Sequence, residues 1–341
     1  MNRLLTFVRK AIGGDSPPEQ RVHRVAGKQA SRFSTASPLH ARHNHQVVFF
    51  RNQLWLIGGA TSFGSANDIW SSADGTTWVR QRANADFSPR DSHQVVAFDD
   101  QLWLIGGRSM SGATNDVWSS RDGMNWTLRA GQAAFPARSS HQVAVYEEKL
   151  WLIGGFTRAG RMNDVWSSPD GIQWEQQNAD AEFTARLEHR VVVYGGMLWL
   201  IAGGDSTRKN DVWYSRDGVY WMMQTDDAAF PPRYGHQVVA FRNQLWLFGG
   251  YDGSYQNDVW TCSDGTTWSR QTAHAGFTPR LGHQVVVCQN RLWLIGGLTA
   301  RGRVNDAWSS DDGIAWTQQA VTAVVLSGPR HEAVGVRSLE S

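Results

Sequence analysis

The stretch "NDVWSSRDGMNW" begins at Asn115, and nearly the same twelve residues begin at Asn67, Asn163, Asn210, Asn257 and Asn305. A phrase written six times at near-constant spacing leaves a chain few folds to choose from. The histidines of the "HQVV"-like segments keep step at His45, His93, His141, His189, His236 and His283, at intervals of 48, 48, 48, 47 and 47 residues. Gly-Gly pairs at 58, 106, 154, 203, 249 and 296 move with them. Each unit reads Arg-x-x-His, a β-rich run such as "QVVAF", a polar turn, "LWLIGG", a variable stretch, "NDVWSS", an Asp-Gly turn and a strand carrying Trp. Four short β runs separated by turn signals predict a four-stranded antiparallel meander. One such meander would leave an apolar face in water. Six can cover one another by stacking face to face in a ring, which predicts an all-β, six-bladed propeller.

Tryptophan supports the ring. All 18 tryptophans fall on the repeat, three per unit: at Trp55, Trp70 and Trp78 in the first unit, and so on to Trp293, Trp308 and Trp316 in the sixth. A large ring placed identically in every unit reads as packing between twisted sheets rather than as a sugar platform. The aspartates of the Asp-Gly turns (Asp74, Asp122, Asp170, Asp217, Asp264, Asp312) can accept turn N–H groups while the glycine supplies positive φ.

The Gly-Gly doublet closing the second strand, followed by an aromatic strand and a Trp eight residues on (Trp70 to Trp78), resembles the kelch motif over roughly residues 42–319. "SSRDGMNW" also resembles the Asp-box of sialidase-type propellers, although Asp and Gly are adjacent here. The resemblance implies a kelch-type propeller. It further implies that partners touch the residue after Gly-Gly (Ala60, Arg108, Phe156, Asp205, Tyr251, Leu298) and the arginine before the first strand (Arg42, Arg90, Arg138, Arg186, Arg233, Arg280). Against the second implication, those arginines can instead pair with the repeated Asp68, Asp116, Asp164, Asp211, Asp258 and Asp306. After Trp316, "GPRHEAVGV" imitates the start of a seventh unit without its "LW" strand, so it is expected as an extra strand covering an edge at the ring closure.

Composition bounds the rest. Net charge is +2, which argues against nucleic acid as a partner. Residues 1–41 hold seven Lys/Arg against Asp15 and Glu19, so this part is basic and the remainder mildly acidic. The domain expectation is a basic tail over 1–41, the propeller with its closing strand over 42–336, and a tail over 337–341. In "MNRLLTFVRKAIGG", Leu4, Leu5, Val8, Ala11 and Ile12 fall on one helical face. That pattern fits a short basic amphipathic helix making weak membrane contact through residues 1–14, or a frayed tail before the linker "GGDSPPEQ". No secretory signal is read here, and no apolar run approaches the length of about 18 needed to cross a bilayer, so a cytoplasmic location is expected. Cys262 takes a serine's place in its repeat and Cys288 sits in an apolar strand, so both are expected to pack rather than pair.

In a meander, the loop between the second and third strands and the connection between units emerge on one face, and the two tight turns emerge on the other. The tight-turn face is monotonous and expected to be acidic. The loop face varies: "ATSFGSA", "RSMSGAT", "FTRAGRM", "DSTRK", "YDGSYQ" and "LTARGRV". Function on such scaffolds concentrates in loops, and arginine and aromatic residues at a rim favour recognition. The candidate binding residues are Arg108, Phe156, Arg158, Arg161, Glu188, Arg208, Lys209, Tyr234, Tyr251, Tyr255 and Arg301.

Catalytic readings are weaker. Packed sheets lie about 10 Å apart, so one histidine per blade cannot converge on a metal, whose ligands sit about 2 Å away. No metal site and no cofactor is therefore expected. A galactose-oxidase-like copper site is rejected because both cysteines have scaffold roles, and no Tyr–Glu pair suits a sialidase. A sialic-acid mutarotase-like enzyme or a carbohydrate-recognising protein for anionic sugars remains the alternative. It would centre on Glu188, the one Glu in an Arg-x-x-His segment, with Arg190 in place of the usual glutamine; Arg186 and Arg190 are expected to lower the pKa of that carboxyl. The preferred expectation is a non-catalytic propeller that binds a protein or peptide of acidic character on its loop face.

Overall fold

The structure is a computed structural model and describes residues 33–34 and 39–326. In the first blade, strands Gln46–Phe50, Gln53–Thr61, Gly64–Ser72 and Thr77–Arg82 pair antiparallel in order. Arg51 and Asn52 both take positive φ (48° and 60°), the two-residue turn whose twist matches the strands it joins. The same pairing recurs five more times. The register breaks at the Gly-Gly doublet, between Ile57 and Gly59 in the first blade, where a bulge turns the second strand toward the loop face.

The innermost strands are Gln46–Phe50, Gln94–Phe98, Gln142–Tyr146, Arg190–Tyr194, Gln237–Phe241 and Gln284–Cys288. Each touches its two neighbours, and the sixth touches the first, so the blades close a ring. At the loop-face mouth of the central channel a second circle closes through the backbone. The N–H of Ser92 donates to Asn44 O (2.9 Å), Ser140 to Ser92, Glu188 to Ser140, Gly235 to Glu188, Gly282 to Gly235, and Asn44 back to Gly282 (2.8 Å). All six residues have positive φ, which aims each N–H around the ring instead of along its strand.

Indoles lock the blades from outside. An added Cβ on Gly123 would sit 2.6 Å from the Trp55 ring, and the same close approach pairs Trp103 with Gly171, Trp151 with Gly218, Trp199 with Gly265, Trp246 with Gly313 and Trp293 with Gly75. The Asp-Gly turn is therefore the flat socket for the neighbouring blade's tryptophan. Its aspartate shapes the socket: Asp74 Oδ1 accepts from the N–H groups of Thr76 and Thr77 and from Ser72 Oγ. Slight burial works against ionisation there, but those donors outweigh it and hold the Asp74 carboxyl at about 2.

Apolar clusters fill the seams between blades. One joins Ile57, Ile69 and Trp55 of the first blade to Val95, Leu104 and Trp126 of the second, with Phe87 plugging the gap. Phe135, Phe183, Phe230 and Phe277 do the same at later seams, each with an exposure of 1% or less. At the closing seam the plug is Leu39, which precedes Arg42 as Phe87 precedes Arg90, and whose carbonyl accepts from Asn305 Nδ2 at 2.7 Å. The opposite end of the chain reinforces this seam: Thr322–Leu326 runs parallel to Thr77–Arg80 on the outer edge of the first blade, and Phe33–Ser34 pairs antiparallel beyond it.

Two expectations change here. The strand that covers the edge at the closure is "TAVVL", just upstream of "GPRHEAVGV"; the latter lies outside the described residues, as does the amphipathic segment over 1–14. In the fourth blade the doublet position falls on Ala202 and Gly203, one residue earlier than "GG" suggests. Ala202 takes φ 54°, matching Gly154 at 56°, and Gly204, not Asp205, pairs with Leu187. The tail of the repeat, "NDVWYS", then resumes with one residue fewer in the loop.

Candidate functional site

The loop face is built outward from the channel. First come the six positive-φ residues of the backbone circle. Next lie cross-strand pairs, each joining the residue after the repeated arginine to the residue after the doublet: His43–Ala60, Asp91–Arg108, Ser139–Phe156, Leu187–Gly204, Tyr234–Tyr251 and Leu281–Leu298. The hairpin tips form the rim.

Beneath this surface the repeated arginines are structural. Arg138 is fully buried; its Nη1 and Nη2 donate to Asp164 Oδ1 and Oδ2 at 2.7 Å each, and Nη1 also donates to Gly154 O. Trp166 Nε1 donates to the same aspartate. Arg42, Arg90, Arg186, Arg233 and Arg280 repeat the pairing with Asp68, Asp116, Asp211, Asp258 and Asp306. With exposures of 1% or less, these six side chains offer nothing to a partner, so the contact role implied for them does not hold.

The repeated histidines are equally internal. Each is fully buried, its Cβ against the doublet of its own blade and its ring against that of the preceding one, as His93 lies on Gly107 and Gly58. Burial, then the nearby Arg90 charge, pulls His93 down to about 3; burial and Arg138 do the same to His141. Among the described residues no group of three or more His, Cys, Asp or Glu is arranged to hold a metal. Cys262 and Cys288 are buried free thiols, and burial together with the Asp264 carboxylate pushes Cys262 up to about 12.

The irregular residues occupy the surface. Arg158, Arg161, Arg208 and Arg301 are exposed and have no ion-pair partner among the described residues. Arg108 is 59% exposed but bonded to the buried Asp91 at 2.9 Å. Lys209 is committed to Asp205 at 3.0 Å, so its charge is neutralised locally. Tyr234, Tyr251 and Tyr255 form a continuous aromatic wall, with ring centroids 5.6 and 5.4 Å apart and the Arg208 guanidinium 6.0 Å above Tyr251. On one side of this wall a hollow is lined by Arg161, Glu188, Asp205, Arg208 and Tyr234. On the other, Arg301 lines a second hollow with Tyr251 and Tyr255. Phe156 is 43% exposed on the third blade, away from the tyrosines.

Sequence reasoning passed over Phe63 and Met110, which are 82% and 97% exposed at the hairpin tips of the first two blades. With Phe156 they give one arc of the rim an apolar character. The signal was an apolar residue inside the polar tips "TSFG" and "SMSG".

Glu188 departs from expectation. Arg186 is spent on Asp211, so Arg190 and, more weakly, Arg108 are the cations that favour its charge. Burial in the channel mouth outweighs them and raises its pKa, the reverse of the direction expected from the sequence. Arg190 itself is turned aside: Nε donates to His236 O at 2.8 Å and Nη1 reaches Gln142 Oε1 at 3.4 Å. Burial brings its pKa down to about 10 even with Glu188 nearby. The channel between these residues holds a cavity of about 40 Å³, room for ordered water and not for an organic ligand.

A closed ring of six meanders with a uniform interior and a varied loop face defines a β-propeller. The family model of the KLHDC2/KLHL20/DRC7 Kelch-repeats domain matches residues 44–216 and 189–338. The chain belongs to this kelch-repeat family, whose domains are in general protein-binding scaffolds without catalytic machinery. No curated protein matches the chain. Among the described residues no helix is long and apolar enough to cross a membrane.

Proposed function

We propose that this propeller is a non-catalytic interaction module that captures a protein or peptide of acidic character on its loop face. One observation carries the reading: arginines required by the fold are buried in bidentate pairs, whereas Arg158, Arg161, Arg208 and Arg301 project from irregular tips with no carboxylate partner among the described residues. An unpaired, exposed guanidinium keeps its full capacity for bidentate contact with a carboxylate. The tyrosine wall between the two hollows adds the aromatic contact area typical of binding hot spots.

The test is charge reversal at the third-blade tip. Arg158→Glu together with Arg161→Glu should abolish capture of acidic partners in a pull-down while leaving thermal unfolding unchanged, because neither side chain bonds the scaffold. Unaltered capture by the double variant would refute the assignment.

A further inference from the structure

Five blades place a neutral residue at the circle of backbone hydrogen bonds (Asn44, Ser92, Ser140, Gly235, Gly282); only the fourth places a carboxyl there. Glu188 Oε2 is buried and has no hydrogen-bond partner among the described residues. It stands where the channel mouth opens into the hollow lined by Arg161, Asp205, Arg208 and Tyr234, so it belongs to both spaces. The charged and titratable groups facing it are few. On its own segment, Arg190 is bonded to His236 O and Gln142, Arg186 is paired with Asp211, and His189 is held neutral by burial. From the second blade come Arg108 and Asp91, already bonded to each other, and from the fifth comes the Tyr234 phenol. Asp205 is neutralised by Lys209. The hollow that Glu188 also lines holds two further cations, Arg161 and Arg208, neither of them in an ion pair among the described residues.

A buried carboxyl oxygen without a donor is costly as an anion and well placed as an acid. We propose that this hollow takes up an anionic oxygen together with a proton: a partner carboxylate lies on Arg161 and Arg208 while the Glu188 carboxyl, protonated, donates a hydrogen bond to it from the oxygen that is not buried. The burial that already disfavours the Glu188 anion favours the same state, and a second negative charge beside it strengthens the preference. The inference rests on the acidic-partner reading and specifies how it is gated. Glu188 is then a selector that makes capture tighten as pH falls.

The test uses the full chain and a capped tetra-aspartate peptide, titrated calorimetrically at pH 6, 7 and 8 in buffers of different ionisation enthalpy. The wild type should bind roughly tenfold more weakly at pH 8 than at pH 6 and take up close to one proton per peptide at the upper end. Glu188→Gln keeps a neutral donor in place, so its affinity should stay near the pH 6 value throughout with little proton uptake attributable to the site. Every other titratable group is the same in both proteins, so the difference between them isolates Glu188. Should Glu188→Gln fold poorly, Glu188→Ser carries the comparison through a flat pH profile, since Ser92 and Ser140 occupy the same circle. Capture with equal pH dependence in wild type and variant overturns the role of Glu188 alone. Capture by neither protein at any pH overturns the acidic-partner reading as well.

Discussion

The third and fourth blades share a seam and a strand plan, and they differ where the channel meets the loop face. Both keep the buried Arg–Asp pair, Arg138–Asp164 and Arg186–Asp211. Both lay a tryptophan on the next blade's glycine, Trp151 on Gly218 and Trp199 on Gly265. At the channel, however, Ser140, Gln142 and Gly154 of the third blade become Glu188, Arg190 and Ala202 in the fourth. The conserved plan lies in groups whose failure would open a seam. The departures lie in groups that can vary without opening one, and that is where a single blade can acquire chemistry the other five lack.

The comparison can be pressed hardest with acid. A histidine buried neutral has its folded pKa below its unfolded value near 6.5, so the stability it supports is present above that value and lost as pH falls toward the folded one. His93 and His141, pulled to about 3, each steepen the pH dependence by about 1.4 kcal/mol per unit between roughly pH 6 and 4. His189 and His236, which also feel Arg190, are pulled well below their usual value. Equilibrium unfolding followed by tryptophan fluorescence should therefore show a steep loss of stability below pH 6, with uptake of several protons. Glu188 runs the other way: a raised carboxyl pKa means its contribution is best at low pH and declines as pH rises through the folded value. Glu188→Gln should accordingly be more stable than wild type at pH 8 and indistinguishable from it at pH 4. A uniform shift at both pH values would show the residue to be ordinary scaffold.

The next largest effect belongs to what the two blades share. Arg138→Ala strands a buried carboxylate, Asp164, and should cost about 3–5 kcal/mol in urea unfolding. A loss below about 1 kcal/mol would mean that the repeated pair does not hold the blade.

The smallest effect separates the doublets. A Cβ on Gly154 would lie 3.0 Å from Met162 O and 3.1 Å from His189 Cε1, and φ there is 56°. Gly154→Ala should therefore destabilise by about 1–3 kcal/mol. Ala202 already bears that Cβ at φ 54°, so Ala202→Gly should stabilise by about 0.5–1 kcal/mol. Opposite signs for the two exchanges would establish that the fourth blade carries local strain which the third avoids.

Six copies of one phrase were enough to read the strand count, the ring and the scaffold role of its tryptophans, because each copy repeats the same packing problem and its solution is periodic. The two faces were legible for the same reason: strand order alone decides which loops share an end. The sequence also held the choice between pairing and display for the arginines at Arg42 through Arg280, but could not decide it. Their burial depends on Asp68 and its counterparts lying 25 or 26 residues away on the third strand. It could not place the doublet of the fourth blade either, where "IAGG" offers two registers and only the position of Gly204 opposite Leu187 chooses between them. The plug residues Phe87 through Phe277, and Leu39 in their place at the closing seam, carry no periodic strand signal and emerge only from the seams they fill. Around Glu188 the chain order names the neighbours, whereas the distances come from the fold. Adjacent arginines suggested a lowered pKa, yet one turns to an aspartate, the other to a backbone carbonyl, and the channel wall decides the sign. Local chemistry and periodicity are written along the chain, whereas desolvation and the sharing of hydrogen bonds exist only once distant segments have met.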